Sequence, residues 1–184
     1  LALEFGATLS DAQMAEFAAS LRERQRDYEK DLLGRSDEEY RRDSYDGLAD
    51  LLGRFTGRLE REQKERLRAV ARDLRRFDRA WLEERAQWLE TLEPLLQRNP
   101  GWQRQLQAAH AARKAQRTPR YREYLAHNMA VISAGVADVM NQLTAAQRER
   151  VSREIDDLRI RLRELAARSR LARLQPASAA CRIT

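Results

Sequence analysis

The sequence predicts an all-α protein, an elongated antiparallel bundle of five or six helices. Three observations carry that expectation. Of 184 residues, 42% are hydrophobic and 35% charged, with only seven Gly and four Pro, a mix rich in Ala, Leu, Arg and Glu that reads as long helices. Apolar residues recur in steps of three and four: Leu67, Val70, Leu74, Phe77, Trp81, Trp88, Leu89, Leu92, Leu95 and Leu96 fall on one helical stripe. And helix-start signals of the form Ser/Thr-x-x-Gln precede apolar runs more than once, at Ser10–Gln13 and Thr144–Gln147.

In chain order, residues 1–8 read as a frayed entry. Ser10 caps the first helix, Gln13 reaches back, and Leu9 staples onto Met14. Met14, Phe17, Leu21, Tyr28 and Leu32 continue one face, and Gly34 ends the helix. Ser36 or Asp37 starts a second helix through Tyr40, Leu48, Leu51, Leu52 and Phe55, weakened at its end by Gly53 and Gly57. The third helix is the organising one, expected from about Glu60 to Gln97. No Gly or Pro interrupts it between Gly57 and Pro94, and the stripe from Leu67 to Leu96 alone would be about 45 Å long at 1.5 Å per residue. Such a stripe needs other helices to cover it.

Arg98-Asn99-Pro100-Gly101 is the clearest break, a candidate sub-boundary within a bundle domain spanning 1–174. Asn99 and Pro100 are expected to open a short fourth helix through Trp102, Leu106 and Ala109. Thr118-Pro119 repeats that signal before an apolar fifth helix of Tyr121, Leu125, Met129, Ile132, Val136, Val139 and Met140, in which Gly135 permits a close neighbour. The last helix opens at Thr144 and is expected to bury Val151, Ile155, Leu158, Leu162 and Leu165. Residues 175–184 are small and polar, and read as a disordered tail.

Two charges interrupt the long stripe, Asp78 and Arg85, the latter between Trp81 and Trp88. A charge facing a core requires a partner. Asp78, Arg85, Tyr121 and Asn128 are therefore expected to meet as a buried or half-buried polar cluster, with Trp81 and Trp88 beside it as a candidate partner contact. A structural ion pair, with Arg85 stacked on indole, is the commoner cause of such a pattern.

Net charge is +6 and uneven. Residues 1–50 carry 7 basic and 13 acidic side chains, residues 51–118 carry 16 and 9, and residues 119–184 carry 12 and 7. The acidic first segment can attract the basic remainder within the fold, or the basic remainder can face an anionic partner. Nucleic acid is the natural rival partner, but in the last helix Glu149, Asp156, Asp157 and Glu164 are interspersed among the arginines, the pattern of a solvated face rather than a phosphate-tracking stripe. The single cysteine, Cys181, excludes a disulfide within the chain.

The sequence points to no catalytic, cofactor or metal set. His110 and His127 lie in different expected helices without ligand spacing, and there is no phosphate loop or nucleophile elbow. No window approaches the ~20 apolar residues of a membrane span.

The elements Leu9–Gln13 and Leu143–Gln147, a degenerate copy at Leu59-Glu60-Arg61-Glu62-Gln63, the run Trp81-Leu82-Glu83-Glu84-Arg85-Ala86-Gln87-Trp88, and Pro119-Arg120-Tyr121 followed by Asn128 together carry a resemblance. On these motifs, covering about residues 9–168, the chain resembles a family of uncharacterised proteobacterial lipoproteins of unknown function. The resemblance implies a non-enzymatic domain in the periplasm that binds a protein or cell-envelope component. It also implies outer-membrane anchoring through a lipidated cysteine and signal peptide upstream of Leu1, the chain being the C-terminal helical part of a longer precursor. The Leu-Thr-x-x-Gln element is also similar to that of small periplasmic chaperones of the Spy and CpxP type, which implies a client-binding cradle as the alternative. A basic intracellular nucleic-acid binder is the third reading. Glu60 stands where the motif has Ser or Thr, which weakens the expected helix start there.

Overall fold

The computed structural model of the chain describes residues 6–174, with side chains to residue 168. Seven helices run through these residues: α1 (Asp11–Gly34), α2 (Asp37–Thr56), α3 (Arg61–Asp73), α4 (Asp78–Leu96), α5 (Trp102–Gln116), α6 (Pro119–Asn141) and α7 (Ala145–Leu174). Residues 6–8 add a short helical turn before them, and the expected tail at 175–184 lies outside the described residues. The all-α class is as the sequence predicts. Among the described residues the helices pack on one another in pairs rather than around one shared core, so the bundle is open and elongated.

The helix starts follow the caps. Ser10 Oγ accepts from Gln13 N at 3.2 Å while Gln13 Oε1 accepts from Ser10 N at 2.8 Å. Ser36 and Glu39 repeat that exchange at α2, where the Ser36 amide holds the Glu39 carboxyl below its ordinary range. Thr118 caps α6 and Thr144 caps α7. The degenerate motif also opens a helix: Gln63 Oε1 accepts from Glu60 N at 2.9 Å, and the Glu60 carboxylate sits where the helix dipole favours negative charge. The expected start at Pro100 moves two residues on, because Gly101 takes a left-handed φ of 85° and Trp102 leads α5.

α4 packs on α1 and on α5, while α3 packs on α2 and α6, and α7 returns to α2. Contact between α4 and α6 joins the two groups. The Arg98–Gly101 turn thus connects two helices that lie against each other. The main core sits in the second group, where Leu52, Leu59, Leu67 and Val139 are buried with Tyr45, Leu48, Ala49 and Val136 around them.

At its base the degenerate and complete motifs meet. Gln63 Nε2 donates to Gln147 Oε1 at 2.9 Å and Gln147 Nε2 donates to Gln63 Oε1 at 3.0 Å, both side chains buried. Each amide also closes the other's loop: Gln147 Nε2 donates to Arg58 O, and Gln63 Nε2 to Gln142 O. The motif glutamines therefore join the α2–α3 hairpin to the α6–α7 hairpin, beyond capping their own helices.

Three expectations are corrected. The single long helix from Glu60 to Gln97 is two helices, broken at 74–77 although no Gly or Pro lies there. Leu74 is extended (φ −66°, ψ 136°), and neighbouring side chains replace the helical bonds that are lost. Asn128 on α6 grips Arg75 on both sides, Oδ1 accepting from its N–H at 2.9 Å and Nδ2 donating to its carbonyl at 2.8 Å. Tyr40 on α2 donates its hydroxyl to the same carbonyl, and His127 Nε2 sits 3.0 Å from Asp73 O. Such side-chain bonds satisfy the backbone groups that a helix end exposes. The second correction is on α7, where Ile155, Leu158, Leu162 and Leu165 are exposed rather than core, because the helix outruns α2. The third concerns Met129 and Met140 on α6 and Phe17 on α1, which also face outward.

Gly135 lies where α6 meets α3, and a Cβ there would overlap Val70 Cγ2. Val70 is β-branched and held to one rotamer in a helix, so it cannot step aside. Gly135→Ala is expected to lose ~1–2 kcal/mol, since overpacking of about 1–3 kcal/mol outweighs the gain of about 1 kcal/mol in helix propensity. A urea midpoint unchanged or raised in this variant would show that the helices part freely there.

A candidate binding cleft between α4 and α5

The expected polar cluster divides. Asp78, Tyr121 and Asn128 all engage the 74–78 break, but through different partners. Asp78, at the first turn of α4, takes Arg35 bidentately, Nε to Oδ2 at 3.0 Å and Nη2 to Oδ1 at 2.6 Å, and accepts from Arg76 Nε at 3.1 Å. Arg76 also binds Asp37 and donates to the carbonyls of Leu32, in the last turn of α1, and of Arg35, just after it, capping that helix end. Tyr121 packs its ring on Phe77 at 5.7 Å and under the Arg117 guanidinium. The hydrogen bond to Asp78 holds the Arg35 guanidinium above its ordinary value, that to Asp37 does the same for Arg76, and burial raises the Tyr40 hydroxyl. These groups are saturated by one another, which is the arrangement of a structural joint.

Arg85 is elsewhere, two turns along α4. It lies over the rings of Tyr28 (5.1 Å) and Trp81 (5.8 Å), which meet edge to face at 5.3 Å. Trp81 and Arg85 thus hold α1 against α4, with Gln25 Nε2 donating to Leu82 O.

Trp88 faces the other neighbour. His110 of α5 meets its ring edge-on and the Arg113 guanidinium stacks on it at 4.7 Å. Glu84, Gln87, Trp88, Thr91, Arg113 and Gln116 line an open cleft of about 340 Å³. Glu84 is buried, and its Oε2 has no hydrogen-bond partner. Its other oxygen stands 3.9 Å from Arg117 Nε, beyond hydrogen-bonding distance. Arg113 Nε is likewise buried without a partner. A buried unpaired acceptor and donor each cost free energy until a partner is supplied. Both atoms are closed to solvent behind the cleft lining, so the cleft offers an indole wall beside an acceptor and a donor that an occupant meets once the Glu84 and Arg113 side chains turn outward, a set suited to a group that both donates and accepts, as a peptide main chain does.

Of the residues singled out in the sequence, only Trp88 reaches this cleft. Glu84 was legible in principle, since it sits three residues after Trp81 and four before Trp88 and so borders the same face. Arg113 was not, because only the packing of α5 on α4 brings it over the indole. Among the described residues, no three His, Cys, Asp or Glu side chains gather as a metal set, and no helix is long and apolar enough to cross a membrane. No family model, curated protein or solved structure matches the chain.

Proposed function

We propose that the chain is a non-enzymatic helical binding domain of a periplasmic lipoprotein, anchored to the outer membrane through a segment upstream, and that it holds an extended segment of a protein or envelope component in the α4–α5 cleft. The observation that carries this reading is Glu84, a buried carboxylate with an unpartnered oxygen on a cleft whose wall is the Trp88–Arg113 stack. The location rests on the motif resemblance. The other buried polar atoms without a partner among the described residues, Gln25 Oε1, Arg66 Nε, Arg85 Nε and Arg117 Nε, lie outside the cleft lining, and Glu84 is the one carboxylate among them.

A residue kept for binding at a cost in stability has a distinctive signature. Glu84→Gln is expected to raise stability by about 1 kcal/mol, because it removes a buried charge that is held only by a long ion pair to Arg117 and by no hydrogen bond, while weakening capture of the partner. The test places a photoreactive side chain at Gln87 or Gln116, both exposed on the cleft, and at Arg61 as a distant control, in the full-length protein within the cell envelope. Cleft positions should give a crosslinked product that Glu84→Gln and Trp88→Ala abolish. Equal labelling at Arg61, or a product indifferent to Glu84, overturns the cleft, and recovery of the protein in the cytosol overturns the location.

A further inference from the structure

We infer that the corner between α2 and α3 is a separate ligand site, one that takes a compact anion carrying two neighbouring phosphate groups, a diphosphate. Arg61, Lys64 and Arg68 recur in steps of three and four along α3 and so share one face of it, and Arg58 stands in the loop just before. The fold makes that row concave. Arg58, Leu59, Glu60, Arg61, Lys64 and Arg68 line a cleft of about 450 Å³, four cations against one carboxylate.

The cations are assembled without being neutralised. No carboxylate among the described residues pairs with Arg58, Lys64 or Arg68, and Lys64 is half-buried. Arg68 rests instead on the Tyr45 ring of α2 at 5.0 Å, which positions its guanidinium and leaves the charge intact. Arg61 meets Glu65 at 3.0 Å, but both side chains are open to solvent, and such a pair is readily exchanged for another. The loop is anchored beforehand, since Gln147 Nε2 donates to the Arg58 carbonyl at 2.9 Å. Like charges three and four residues apart on a helix repel one another, a cost that an anion in the cleft removes.

The dimensions select the anion. Arg61 to Arg68 spans about 10 Å at 1.5 Å per residue, more than one phosphate group covers, and guanidinium groups suit phosphate oxygens. Nucleic acid fits poorly, because Glu60, Glu62 and Glu65 flank the row, whereas tracking a duplex takes about 6–10 phosphate contacts. A membrane face as such fits no better. The one apolar lining residue, Leu59, is buried, and a helix that lies on lipid needs an apolar face to insert.

Calorimetric titration of the intact chain with inorganic pyrophosphate at low ionic strength tests the site. Binding is expected, tighter than for orthophosphate and weakened steeply by added salt. Lys64→Gln should weaken it about tenfold, the worth of one charge-assisted hydrogen bond, with an unchanged circular dichroism spectrum, and Lys64→Arg should restore it. Glu60→Ser, which keeps a helix cap and removes the opposing charge, should tighten it. Phosphatidylcholine vesicles doped with a lipid bearing a diphosphate headgroup identify the source. Capture that exceeds plain vesicles and is lost in Lys64→Gln supports a lipid-borne diphosphate, and pyrophosphate binding without vesicle capture supports a free one. No pyrophosphate binding, or binding indifferent to Lys64→Gln, overturns the site. Equal affinity for orthophosphate overturns the diphosphate, and tighter binding of duplex DNA through the same residues replaces it with nucleic acid. None of these outcomes bears on the α4–α5 cleft.

Discussion

Asp78→Ala is expected to lower stability by about 3–5 kcal/mol, the usual cost of removing one partner from a buried ion pair. Asp78 is buried and receives three charge-assisted hydrogen bonds, two from Arg35 and one from Arg76. With its carboxylate gone, the guanidiniums are left close together and only partly exposed. The loss spreads beyond the pair. Arg76 closes the end of α1, Arg35 leads into α2, and Asp78 itself begins α4, so three helix ends loosen at once. Asp78→Asn keeps the shape and one acceptor, and should fall between. Asp73→Ala, five residues earlier and exposed, should change stability by less than ~0.5 kcal/mol. Urea denaturation of the three variants decides the matter: if Asp78→Ala unfolds at the same midpoint as Asp73→Ala, the ion cluster contributes nothing.

Leu67→Ala is expected to cost about 2–5 kcal/mol. Leu67 is 0% exposed and lies in the cluster with Leu52, Leu59 and Val139, where α2, α3 and α6 converge. Partial collapse around the missing atoms sets the position within that range. Collapse should be poor here, because Gly135 already brings α6 against Val70 one turn away. At roughly 2–4 °C of melting temperature per kcal/mol for a chain of this length, the midpoint should drop by at least ~4 °C. Leu165→Ala on the exposed stripe of α7 should leave the monomer nearly as stable as before. Equal shifts for the two leucines would mean that the core has been placed wrongly.

Most helix starts were legible because a cap is a local arrangement. Ser10, Ser36, Thr118 and Thr144 bond to amides three residues away, and no distant residue has a say. Gly34 and Gly57 marked ends for the same reason. The break at 74–77 was hidden because its cause is distant: Asn128 and Tyr40 supply the bonds that the backbone forgoes. An unbroken 3.6-residue period over Leu67–Leu96 carries no trace of that. The stripe on α7 misled in the opposite sense. Periodicity tells that a face is apolar without telling what covers it, and here the chain itself leaves it bare. The charge asymmetry did foretell real contacts, since Asp11 and Asp37 of the acidic segment meet Arg98 and Arg76 of the basic one. Of the cleft, the sequence disclosed the indole wall but not the carboxylate and guanidinium that give it chemistry, because α5 had to be folded over α4 first.

The reciprocal clasp of Gln63 and Gln147 spans 84 residues of chain. A growing polypeptide that has just completed α3 holds Gln63 with one side of its amide unanswered and the Arg58 carbonyl uncovered. Neither is met until the ribosome has delivered Thr144 to Gln147, several seconds later at common rates of synthesis. The first hairpin must wait, half-closed, for the last to arrive. Release of an incomplete chain ending before residue 143 would leave that hairpin open to other strands and to proteases. That the chain has been made as far as Gln147 is thus recorded in a single pair of amides.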